Sequence, residues 1–265
     1  MNLVNTSDKF RPDQRQARVA ERLALAISHQ ELGLVYQPQM DLMSREVVSL
    51  EALCRWQDAE LGQVSPDEFI GVAEARGLIV QIGQLVLQKV LTDLPALQAR
   101  WPGVRVAINV SGVELARPDF AERLQAVIQA VGLGQAAHLE LEVTESVFHD
   151  NVSQVRANLL HLQALGITVA IDDFGTGQSS LSRLHTLPFD KIKLDRSFVQ
   201  ALDDPMVQAI VKAMAQLAGS FSRTLVVEGI ETPAQLQMLS ALGCKLGQGY
   251  FLGRPCALPE LLAGL

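Results

Sequence analysis

Two adjacent acids, Asp172 and Asp173, close the apolar run at Ile171, and single acids punctuate three other such runs. These are Glu51 in Ser49-Leu-Glu-Ala-Leu-Cys-Arg-Trp56, Glu142 in Leu141-Glu-Val-Thr-Glu-Ser146 and Glu228 in Val226-Val-Glu-Gly-Ile-Glu-Thr232. Like charges buried side by side raise each other's pKa, and a divalent cation removes that cost. Glu51, Asn109, Glu142 and Asp172 offer carboxylate and amide oxygens without a thiolate or imidazole, the hard donor set that Mg²⁺ and Mn²⁺ prefer. Asp173 allows a second ion beside the first, with Asp172 bridging. Two ions about 3.5–4 Å apart are the recurrent solution for in-line attack on a phosphodiester, because they generate hydroxide and neutralise charge developing on phosphorus. Lys193, in Lys191-Ile-Lys-Leu-Asp-Arg-Ser-Phe198, would set a cation beside the attacking water or a phosphate oxygen. Glu228 could accept the proton of that water.

Each residue also has a plainer explanation. Alternation within Ser49–Trp56 puts Glu51, Leu53 and Arg55 on one strand face, which a half-buried strand with a structural salt bridge would also show. A lone acid after a strand is often a solvated loop residue or a helix N-cap. Lys193 and Glu228 could form a simple ion pair. Recurrence at successive strand ends favours the metal site.

The elements that must position these residues form a strand and helix alternation, which means an α/β fold. Strands are expected at 34–37, 47–54, 106–109, 139–143, 168–171, 191–194, 225–227 and 246–248. That order and a length of 265 residues fit a single (β/α)8 barrel. Asp41-Leu-Met-Ser-Arg45 leaves room only for a hairpin, so the first strand should run antiparallel to the second. Gln37, Asn109, Glu142, Asp172, Asp173, Lys193, Glu228 and Gln248 fall at or just after strand C-termini, the end at which parallel barrels gather their active sites. Helical spacing joins Ile82, Val86 and Val90, and likewise Val152, Val155, Leu159 and Leu162. Residues 1–15 read as a flexible leader and 16–30 as an amphipathic helix, with 16–265 forming one domain. Phe174-Gly175-Thr176-Gly177-Gln178 reads as a flexible loop, able to couple metal binding to dimerisation or to serve as an ordinary turn.

Composition narrows the classes. A net charge of −7 with no Lys/Arg-rich block argues against binding long nucleic acid. The cysteines Cys54, Cys244 and Cys256 lack metal or disulfide spacing, so a reducing cytoplasm is the simplest compartment. The N-terminus lacks the apolar run of a signal peptide, and no stretch approaches a membrane span. His29, His138, His149, His161 and His185 show no ligand pattern. Neither a dinucleotide fingerprint nor a Walker loop occurs.

From Leu34 to Pro255 the chain resembles the EAL-domain phosphodiesterases specific for cyclic di-GMP. The resemblance rests on Tyr36-Gln-Pro38, Glu51-Ala-Leu53 with Arg55, Asn109-Val-Ser111, Glu142-Val-Thr-Glu145, Asp172-Asp-Phe-Gly-Thr-Gly177, Lys193-Leu-Asp-Arg-Ser-Phe198, Glu228-Gly-Ile-Glu231 and Gln248-Gly-Tyr250. It implies a modified barrel with an antiparallel first strand, Mg²⁺ or Mn²⁺ as cofactor, and linear pGpG as product. By position it makes Glu51, Asn109, Glu142 and Asp172 ligands of one ion, and Asp172 and Asp173 ligands of a second. Lys193 then orients water and Glu228 is the general base. Gln37, Leu53, Arg55, Glu231 and Gln248 stand near the substrate or just behind the residues that touch it. Glu145 anchors the loop after the acid pair, a region the family uses in homodimer contacts. Departures are Gln178, where the family usually has tyrosine, and Leu252, where an aromatic is common and guanine stacking could be weakened. Two rivals remain: a receptor that binds cyclic di-GMP without cleaving it, and a one-magnesium barrel lyase or racemase using Lys193 and Glu228.

Overall fold

The computed structural model describes residues 12–148, 152–175 and 188–264. Nine strands occur among them: β1 (Gly33–Asp41), β2 (Val47–Asp58), β3 (Gly62–Val64), β4 (Arg105–Val110), β5 (Leu139–Thr144), β6 (Thr168–Phe174), β7 (Lys191–Leu194), β8 (Thr224–Val227) and β9 (Leu246–Gln248). Pairing follows the order β1-β9-β8-β7-β6-β5-β4-β2, and a β1–β2 ladder closes the ring into a barrel. β1 is antiparallel to both of its neighbours, and every other contact around the ring is parallel. The expected modified (β/α)8 barrel with a reversed first strand is therefore the fold observed.

Alternation explains why this barrel carries charge inside. In β5, Leu139, Leu141 and Val143 are buried on the helix side, while Glu140 and Glu142 turn to the interior. In β7, Ile192 and Leu194 face the helices, and Lys191 and Lys193 face inward. Two ion pairs consequently stack along the barrel axis, Lys191 with Glu140 at 2.5 Å and Lys193 with Glu142 at 2.8 Å. The surrounding helices bury Ile82, Val86 and Val90 from Ile79–Arg100, and Val155, Leu159 and Leu162 from Val152–Ala164. Val152 is exposed instead, because it begins its helix and lies before the packed turn.

Several boundaries differ from the sequence expectation. The first helix spans Pro12–Ser28, not 16–30, since proline preset near φ −65° opens a helix readily. Residues 1–11 of the expected leader lie outside the described residues. The helix buries Val19, Leu23 and Ala26, and its Arg15, Arg18 and Arg22 pair with Glu68, Glu60 and Asp58. β2 runs on to Asp58 and turns back through β3, pairing Trp56 with Val64 and Asp58 with Gly62. Three residues are too short for β3 to show a period. β1 continues to Asp41, so Gln37 sits within the strand opposite Glu51 rather than at a strand end. An antiparallel strand enters at the mouth and leaves at the floor, which reverses the strand-end rule for its side chains.

The floor is pinned by Asp190. Its Oδ2 accepts from Val169 N at 3.0 Å and Gln163 Nε2 at 2.9 Å, its backbone bonds Val169 and Thr224, and Oδ1 pairs with Arg223 at 3.4 Å. We expect Asp190→Ala to lower unfolding stability by about 2 kcal/mol in denaturant melts, the scale of a lost charge-assisted bond. A change near zero would show the pin to be redundant.

Glu114 follows β4 and is buried; burial pushes its carboxyl up to about 7 against the opposing Arg123 and Arg117. A raised folded-state pKa favours the neutral form, so this contribution is complete below the ordinary 4.5 and is lost as pH rises through about 7. Glu114→Gln should thus gain stability relative to the parent between about pH 5 and pH 8, on the order of 2–3 kcal/mol. Thermal melts at both pH values test this, and an equal difference at the two would refute it.

Candidate metal centre

The upper charged layer converges on the Lys193 ammonium. Its Nζ lies 2.8 Å from Glu142 Oε2, 2.9 Å from Glu228 Oε1, 3.0 Å from Asp172 Oδ1 and 3.6 Å from Glu51 Oε2. Five strands supply or immediately precede these groups: β2, β5, β6, β7 and β8. Register holds them level, with Gln37 opposite Glu51 and Asn109 opposite Glu142. Asn109 Nδ2 donates to Glu51 Oε1 at 2.8 Å. Gln248 Nε2 donates to Glu51 Oε2 at 2.6 Å and to Gln37 Oε1 at 2.9 Å. Gln37 Nε2 in turn donates to Gly253 O at 3.0 Å.

Asp172 and Asp173 meet a geometric obstacle, because successive strand residues point to opposite faces. The β6–β7 register shifts between Ile171 and Phe174, and Asp173 takes φ 52°. Such a bulge re-aims side chains, and aspartate tolerates the left-handed region better than most residues. The result is that oxygens of Asp172, Asp173 and Glu228 lie within 4.8 Å of one another.

The loops beyond are tied down locally. Thr232 and Gln235 form a reciprocal cap at the helix Pro233–Ala241, and Gln235 Oε1 also accepts from Glu231 N at 2.9 Å. That fixes the stretch from Glu228 to Glu231. Gly249 passes so close to Ile230 that an added Cβ would lie 2.2 Å from its backbone N and O, so only glycine fits there. Phe174 is buried opposite Leu194, and Gly175 has φ 99° with the Phe198 ring where a Cβ would be. Glu145 opens the short 3₁₀ turn after β5. Thr176, Gly177, Gln178, His149 and His185 lie outside the described residues.

Charge balance dominates the electrostatics. Burial, then the Glu51 charge, raises Glu142 well above the carboxylate range. Burial would raise Glu51 as well, but Lys193, Gln248 and Asn109 outweigh it and hold its pKa below the usual value. Burial, with Asp172 and Glu51 adding to it against Lys193, pushes Glu228 up to about 7. Asp173 is raised by burial and by Asp172. Lys193 stays charged, because four carboxylates overcome the burial that would strip its proton. The five carboxyl groups of Glu51, Glu142, Asp172, Asp173 and Glu228 outnumber the one ammonium among them. Glu142 Oε2, although close to Nζ, receives no well-directed hydrogen bond. An all-oxygen, over-charged donor set of this kind fits hard divalent cations.

Over this layer lies a cavity of about 250 Å³ lined by Gln37, Glu51, Leu53, Asp172, Lys193, Glu228, Glu231 and Gln248, together with Arg196, Gly229, Gly249 and Tyr250. The last four carried no separate signal in the sequence, although all of them fall inside motifs already noted. Arg55 lines two neighbouring grooves, one of which shares Tyr250 with the cavity. Tyr250 is half exposed with the Arg254 guanidinium 4.3 Å from its ring centre. Leu252 is buried in the core, so the residue at that position packs inward, and the exposed aromatics next to it in the chain are Tyr250 and Phe251.

Residues 20–255 match the family described as EAL domain. The cyclic di-GMP phosphodiesterase NbdA of Pseudomonas aeruginosa is 40% identical over 251 residues, covering 93% of this chain and 32% of that protein. The chain spans about a third of the length of several curated relatives. The solved PaMucR phosphodiesterase in complex with c-di-GMP superposes with TM-score 0.86 at 35% identity, over 92% of this chain and 99% of that one. The EAL enzyme Bd1971, bound to cAMP and cyclic di-GMP, superposes with TM-score 0.88 at 30% identity, over 96% and 69% of the two chains. Sequence match, barrel topology and the placement of the motif acids agree, and the chain belongs to the EAL domain family.

Proposed function

We propose that this domain hydrolyses cyclic di-GMP to linear pGpG with two Mg²⁺ or Mn²⁺ ions. The observation that carries the proposal is the bulge in β6, which brings Asp172 and Asp173 to the same side beside Glu228. Glu51, Asn109, Glu142 and Asp172 would hold one ion, and Asp172 and Asp173 the other. Bound there, the ions supply Lewis acidity toward a water and a phosphoryl oxygen. Lys193, charged and surrounded by carboxyl groups, would orient the attacking water or steady charge on a phosphate oxygen. Glu228, with its carboxyl 2.9 Å from Lys193 Nζ and beside Asp172 and Asp173, would take the proton of the attacking water.

Gln37, Leu53, Glu231 and Gln248 face the cavity above these groups and would contact the dinucleotide there. Arg55, in the adjoining grooves, would meet a more distant part of it. Homodimerisation through the loop beginning at Phe174 and Gly175, with Glu145 as its anchor, is the regulatory arrangement proposed. The free cysteines suit a cytoplasmic setting, and no helix among the described residues is long and apolar enough to cross a membrane.

Incubation of the purified protein with cyclic di-GMP and Mg²⁺ should yield pGpG on chromatography. Glu51→Ala should abolish turnover, and Glu228→Gln should lower kcat about 10²-fold or more, the usual scale of general-base loss. Binding without product would make the domain a receptor, and near-normal kcat in Glu228→Gln would remove that residue as base. Asp173→Asn separates backbone from ligand, since asparagine also accepts positive φ. It should melt like the parent yet bind fewer Mn²⁺ ions, and full Mn²⁺ stoichiometry would refute the second site.

A further inference from the structure

Gln39 lies on β1 two residues deeper than Gln37, fully buried, opposite Ser49 on β2 and Gln248 on β9. β1 and β5 are not ladder partners, so a side chain from Gln39 meets Glu142 only by crossing the barrel interior. It does so: Nε2 donates to Glu142 Oε1 at 3.2 Å, while Lys193 faces the other oxygen at 2.8 Å. Glu142 has only 1% of its surface exposed, so buried neighbours set the orientation of its carboxyl: Gln39, Lys193 and Glu51, which shares a side-chain hydrogen bond with it.

Packing alone gives no reason for an amide at this position. Burying one without full compensation costs about 1–3 kcal/mol, and Gln39 Oε1 has no hydrogen-bond partner among the described residues. Leucine or methionine would fill the space without that cost. Gln37, the next inward residue toward the mouth, acts differently: its Oε1 accepts from Gln248 Nε2, which itself donates to Glu51. Of the two inward glutamines of the reversed strand, Gln39 is the one that donates directly to a carboxylate.

We infer that Gln39 is a positioning residue, whose amide holds the Glu142 carboxylate in the orientation that ligates a divalent cation. The inference rests on the metal reading above. Buried hydrogen-bond partners of this kind typically contribute 10- to 100-fold to metal affinity.

The test is Mn²⁺ binding to the chelator-stripped protein, followed by the EPR signal of the free ion, in the parent, Gln39→Met and Gln39→Asn. Methionine keeps the length and removes the donor; asparagine keeps the amide but retracts it by one methylene. Both variants should bind Mn²⁺ about 10-fold more weakly or worse. Excess Mn²⁺ should restore kcat while KM for cyclic di-GMP stays near the parent value, a split that a general loss of packing would not produce. Parental Mn²⁺ affinity in Gln39→Met would overturn the inference and make Gln39 a space filler. Absence of Mn²⁺ binding in the parent itself would overturn the metal reading, and the role of Gln39 with it. The two failures are distinguishable because one appears in the parent and the other only in the variant.

Discussion

Everything at the mouth of this barrel depends on the crowding of carboxylates around one buried ammonium. Lys193 has three carboxylate oxygens within 3.0 Å and a fourth at 3.6 Å, in a place almost without solvent. Removing an ion from water costs several kcal/mol even after relaxation, and attraction offsets this only where geometry is good. One lysine therefore keeps the acids assembled without neutralising them. That surplus of acids is what suits the cluster to the proposed divalent cations, and burial first, with the neighbouring acids adding to it, raises Glu142 and Glu228.

Two departures from a regular parallel barrel make that crowding possible. The bulge at Asp172–Asp173 defeats the alternation that would otherwise send one acid outward. Reversal of β1 removes a strand end from the mouth and substitutes the middle of a strand, so that Gln37 and Gln39 project inward at two depths. A parallel first strand would present its carboxyl end and a loop there. Irregularity falls in β1, at Gln39–Met40, and in β6, at the acid pair, while the β4–β5 and β7–β8 ladders stay regular and parallel.

How much of this was legible follows from what each signal measures. Eight of the strands were readable as apolar runs, and the hairpin length between β1 and β2 revealed the reversal. The acids were readable because their residue types recur at run ends and match a family pattern. Gln39 was not, since a glutamine two residues past an expected strand end looks like a solvated turn until the strand proves longer. β3 was too short to show a period. Arg55 shares a strand face with Glu51 in the sequence, yet its longer side chain opens onto neighbouring grooves, a matter of rotamer and twist that alternation does not encode. Leu252 shows the same limit from the other side, because a motif position identifies a residue without saying that it packs inward.

The stacking of two ion pairs, Lys191 with Glu140 below Lys193 with Glu142, suggests a division of labour along the axis. The lower pair is matched one to one, and the floor around it is closed by Asp190 and its backbone bonds. The pair at the bottom sets one carboxylate against one ammonium. The upper layer repeats the same residues in the same strands but adds Glu51, Asp172, Asp173 and Glu228, so its charge is unmatched. Identical alternation in β5 and β7 thus yields a matched ion pair at one depth and an acid-rich cluster at the next, and the difference comes from what the other strands contribute at that level.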